Sequence, residues 1–192
     1  MFWDYFHIGW DHIINRNAWD HLLFIMALSA IYVFKDWKQV LILVTAFTIG
    51  HTVTLILATF NIIRFSSTWI EFLIPVTIMI TALFNTLMKK FTPKSVRLNY
   101  FLALAFGLIH GMGFANGLRS LLGKESDILL PLLGFNLGLE AGQLVAVLGL
   151  LILAAIWQGV FKVSRRDWVL FLSGGAFMAA LVMAMERLPF NL

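Results

Sequence analysis

Apolar residues fill this chain in six long runs separated by short polar intervals: 18–34, 38–60, 68–88, 98–118, 128–160 and 167–186. A helix rises ~1.5 Å per residue, so runs of this length match a bilayer core ~30 Å thick. Within the runs polar residues are sparse and follow no period of two, which predicts helices rather than strands. The fifth run is too long for one upright helix and too short for two. It is expected to tilt, or to break near Gly138 and Gly142. Ahead of the first run, Phe2, Phe6 and Trp10 recur at helical spacing in "MFWDYFHIGWDHIINRN". That pattern predicts a short amphipathic helix over 1–16 lying at the membrane interface.

Composition supports the same reading. Of the 192 residues 60% are hydrophobic and 12% charged, and the mean hydropathy is +0.88; soluble domains carry about a quarter charged residues. The expected fold is therefore an all-α integral membrane protein, one transmembrane domain over 1–192, with about six spans. The lipid bilayer is its first partner. A net charge of +4 is too small to argue for nucleic acid, and no low-complexity segment or clear internal repeat stands out. With no cysteine, disulfides and thiolate metal sites are excluded. The first residues lack the basic stretch of a cleaved signal peptide. Lys35, Lys38, Lys89, Lys90, Lys94, Arg97, Lys162, Arg165 and Arg166 fall in alternate loops. The other side holds Arg16, Arg64, Arg119, Lys124 and Arg187, diluted by Asp4, Asp11, Glu125 and Asp127. The positive-inside rule then puts both termini on the non-cytoplasmic side of what we expect to be a bacterial inner membrane.

Polar groups within the runs need a partner or a purpose. "NAWDHLLF" places Asp20 and His21 at the start of the first span. "FTIGHTVTL" carries His51 in the second, and "FGLIHGMGFANG" carries His110 in the fourth. "FNLGLEAGQL" brings Glu140 to mid-membrane depth in the fifth, with Asn136 and Gln143 on the same face. Thr48, His51 and Thr54 make a similar stripe. Glu71 enters at the start of the third span, and His12 could cover the opening. Glycines beside His110 and Glu140 would let helices approach closely. Imidazole and carboxylate together suit borderline divalent metals such as zinc, nickel, cobalt or iron.

Each of these residues also has a plainer use. Asp20 can occupy the third position of a helix capped by Asn17. His21 can sit at headgroup level, and Glu71 can snorkel to the interface. His51 and His110 can be neutral rings bonded to threonine or to a carbonyl, or can relay protons with a carboxylate and no metal. His7 fits an interfacial position, and Pro75 a kink in the third span.

Five pieces in order, "WDHLLF" at 19–24, "FTIGHTVTL" at 47–55, "EFLIP" at 71–75, "GLIHGMGFA" at 107–115 and "FNLGLEAGQL" at 135–144, resemble the HupE/UreJ family of hydrogenase and urease accessory membrane proteins. That resemblance implies about six spans and a nickel permease or metal-uptake accessory. It maps the family's histidine and acid positions onto His12, Asp20, His21, Glu71, His110 and Glu140, with His51 in its own motif. The family usually places its first histidine six residues before the aspartate with a glycine between; here His12 lies eight before Asp20, with no glycine.

Three functions compete. The first is a transporter or acquisition protein for a divalent transition metal, nickel or zinc, held by His12, Asp20, His21, His51, His110 and Glu140, with Glu71, Thr54, Asn136 and Gln143 in support. A possible homo-oligomer or an accessory partner is left open. The second is an intramembrane metal-dependent hydrolase with Glu140 as general base. The third is a structural subunit whose polar residues only join helices.

Overall fold

The computed structural model describes residues 1–15, 19–88, 93–122 and 128–190. Asn17, expected as a helix cap, lies outside them, as do Arg16, Lys89, Lys90, Lys124, Glu125 and Asp127. Among the described residues every regular element is helical, without a strand: α1 (Phe2–Ile14), α2 (Trp19–Ser29), a 3-10 turn at Phe34–Asp36, α3 (Trp37–Thr59), α4 (Ser67–Leu87), α5 (Pro93–Leu122), α6 (Leu129–Gly159) and α7 (Arg165–Glu186).

Helices α3 to α7 are long and apolar enough to cross a membrane, whereas α2 has 11 residues and reaches ~17 Å. Helix α1 packs lengthwise along α6, where Gly134, Gly138 and Gly142 face the backbone of Phe2, Phe6 and Trp10, and it keeps Trp3, Asp4, His7 and Asp11 exposed. Helix α2 lies further along the same neighbour, with Phe24 and Leu28 beside Gln143 and Val147. Helix α6 is unbroken; its glycines serve close approach rather than a kink. A side chain at Gly138 would collide with the Phe6 carbonyl.

The same device joins α3 to α5. Gly107 and Gly111 abut the carbonyls of Phe47 and His51, and Gly50 that of Leu104. This register makes α3 and α5 parallel. Helices α4 and α7 run antiparallel: Arg166 donates to the carbonyls of Met88 (2.8 Å) and Thr86 (2.6 Å) at one end, and Trp69 meets Phe190 at the other, 5.4 Å between ring centres. The crossings thus alternate in direction. One end of the bundle carries Arg165 and Arg166, the other Arg187.

Three arginines close helix ends by donating to carbonyls left free in the last turn: Arg166 on α4, Arg119 on α3 through Ala58, and Arg165 just past α2 through Ile31. Outward, α6 leaves Leu133, Leu137, Val145, Leu148 and Ile152 exposed. That apolar stripe is stable when lipid covers it.

Candidate functional site: a histidine cavity at the helix break

A cavity of about 490 Å³ opens where α1 hands over to α2. His12 and Asn15 from the end of α1, Asp20 and His21 from the start of α2, Glu71 from α4 and His110 from α5 line it, together with Asp11 and Arg187. The break brings two histidines nine residues apart in sequence together, edge to face. Their ring centres are 4.4 Å apart. His110 lies 5.4 Å from His21. His51 lies 6.2 Å from His12 and is fully buried at the back of the cluster.

Hydrogen bonds fix which ring nitrogen is free. His21 Nδ1 lies 3.0 Å from Asp20 Oδ1. An ionised carboxylate only accepts, so Nδ1 holds the proton and Nε2 is left with its lone pair. At His110 the partner is the Thr77 hydroxyl, 3.2 Å from Nε2. That hydroxyl already donates to the Ile74 carbonyl at 2.7 Å, so it accepts from Nε2–H and Nδ1 is left bare. His21 Nε2, His110 Nδ1, His12 Nε2 and both nitrogens of His51 are buried without a hydrogen-bond partner of normal geometry, apart from a weak contact between His51 and Asn136. Leaving one such group unpaired costs ~1–3 kcal/mol. Four rings with that deficit in one place need an explanation, and a cation taking up imidazole lone pairs supplies one. Among the described residues no three histidine, aspartate or glutamate donors converge as a finished metal shell. To ligate one ion together, the rings would have to rotate from these positions.

Charge at the mouth is mixed. Asp11, Asp20 and Glu71 line the cavity, and Arg187 lies 3.5 Å from Asp20. Below His110 and His51 the interior turns apolar. Phe24 and Phe47 pack 4.9 Å apart and 4.9 and 5.2 Å from His110. Access is therefore from the Arg187 end.

Several residues singled out in the sequence stand elsewhere. Glu140 is not among the cavity-lining residues; it accepts from the Thr45 hydroxyl at 2.7 Å. Gln143 accepts from Thr48 at 3.0 Å, and Asn136 pairs with Thr52 at 2.6 Å. These three form a polar seam between α6 and α3. Thr54 donates to backbone carbonyls of its own helix against Gly111. Sequence reasoning passed over Thr77 and Asn15, and gave Asp11 and Arg187 only a loop-charge role. A threonine two residues past Pro75 carries no signal of its own, since only the packing of α4 on α5 brings it to His110.

Fold and cavity together define a polytopic helical membrane protein with a buried imidazole cluster reached from one end. The chain belongs to the HupE/UreJ family: the family model described as HupE / UreJ protein matches residues 1–187, nearly its whole length. No curated protein and no solved structure matches it.

Proposed function

We propose that this protein takes up a divalent transition metal, nickel in the first instance, from the Arg187 end of the bundle and holds it in the His12–His21–His110 cavity as cargo. The observation that carries this reading is the set of buried ring nitrogens left without partners while the opposite nitrogens of His21 and His110 are anchored by Asp20 and Thr77. Anchoring of that kind orients ligand imidazoles in metal sites. Asp11, Asp20 and Glu71 attract the cation to the mouth, and His51 stands behind as a further donor. Family membership supports nickel; nothing comparable supports zinc. By the positive-inside rule, Lys35, Lys38, Arg165 and Arg166 put their end in the cytoplasm, so the cavity faces the opposite compartment. The hydrolase reading rested on Glu140 as base, and Glu140, bonded to Thr45 on the α6–α3 seam, lends it no support.

The test is elemental analysis of purified protein after incubation with nickel, for wild type and His110→Ala. The expected result is about one ion per wild-type chain and a large loss in the variant. Wild-type protein that stays empty after incubation with nickel, cobalt and zinc would overturn the reading.

A further inference from the structure

A second cavity, about 360 Å³, lies at the Arg187 end between the end of α3, the start of α4 and the end of α5. It is separate from the histidine cavity apart from a common wall in α4 and α5. Arg64, Arg119, Ser67, Asn116 and Asn61 give it its polar lining, and no carboxylate is among the lining residues. Two guanidinium groups thus share one concave space with no carboxylate lining it among the described residues. Arg64 is held by Nε, which donates to Asn61 Oδ1 at 2.9 Å. Arg119 is held by its bond to the Ala58 carbonyl. Asn116 Nδ2 donates to Ser67 Oγ at 3.1 Å. Each guanidinium has five N–H donors in a planar fork, and these bonds use a minority of them. The remainder suit a tetrahedral oxyanion, which takes several such donors at once.

Depth and rim narrow the choice of anion. The cavity sits at helix ends, where a bilayer's headgroups lie. Around it Phe60, Ile62, Phe65 and Trp69 are exposed, between 45% and 67%. Aromatic and aliphatic side chains at that level border acyl chains on one side and headgroups on the other. We propose that this cavity binds the phosphate of an anionic glycerophospholipid, with Arg64 and Arg119 on the phosphate oxygens and the acyl chains along Phe60, Ile62 and Phe65. The proposal is independent of the metal reading.

The experiment is native mass spectrometry of the detergent-purified protein titrated with phosphatidylglycerol, phosphatidylcholine or inorganic phosphate. Wild type is expected to retain phosphatidylglycerol in preference to phosphatidylcholine. Arg64→Gln should weaken that retention about fivefold, the share of one interfacial arginine. Because Arg119 also closes α3, its variant is Arg119→Lys, which keeps the charge and loses the fork, with thermal unfolding as the check on folding. Equal retention of both lipids, or unchanged phosphatidylglycerol binding in both variants, would overturn the proposal. So would saturation by inorganic phosphate with no lipid preference, which would make the cavity a site for a soluble anion.

Discussion

Asp20 Oδ1 lies 3.0 Å from His21 Nδ1, and through that contact a residue at the mouth decides which nitrogen of its neighbour faces the cavity. The same oxygen accepts from the His21 backbone N–H at 2.9 Å. The carboxylate is therefore fixed by the first turn of α2 before any ion arrives. Asp20→Asn keeps the size but can present an amide N–H to the ring, which favours the wrong tautomer. Nickel affinity is expected to fall ~10–100-fold, the usual cost of losing an orienting partner. Isothermal titration in detergent measures it; an unchanged Kd would mean that His21 is no ligand.

Arg187 competes with a cation for Asp20 across 3.5 Å. Removing it as Arg187→Gln takes a positive charge from the cavity wall and should tighten nickel binding several-fold, more so at low ionic strength, where screening is weak. Weaker binding in the variant would show that the arginine holds the site together rather than opposing the ion.

Metal and proton want the same lone pairs. The ring binds metal only when neutral, so nickel affinity should fall as the solution is made more acidic, more steeply when more than one ring is a ligand. Isothermal titrations over a descending pH series check it, and a profile that stays flat until carboxylates protonate would point to carboxylates instead.

Gly138 faces the Phe6 carbonyl with no room for a side chain. Gly138→Leu should push α1 off α6 and lower stability by ~1–3 kcal/mol, as overpacking does. His12 rides on α1, so nickel affinity should drop with it. A thermal unfolding midpoint equal to wild type would contradict this packing.

Glu140→Gln keeps an oxygen for the Thr45 hydroxyl and removes a charge that is not part of the cavity lining. Nickel affinity is expected to stay within about twofold, since sites that share no partner act independently. A large loss would return Glu140 to the ligand set that its sequence motif implied.

Periodicity and composition by themselves determined that the chain is helical and built for a bilayer. A run of twenty apolar residues has few other stable fates, because backbone groups in lipid have to bond within their own helix. The ionisable residues were legible too: a histidine among glycines in an apolar run is costly and therefore conspicuous. The helix pairing was decided by tertiary structure. Glycines 107, 111, 134, 138 and 142 announced close contact, but not that their partners were α3 and α1. The seat of α1 was likewise hidden, since its aromatic pattern announces a helix but not that it packs on the glycine face of α6. That one arrangement brings His12 to 4.4 Å from His21 and leaves Glu140 on another seam. Spacing along a chain fixes depth in a membrane; which side chains meet at that depth depends on helix rotation and neighbour choice, and packing alone sets those.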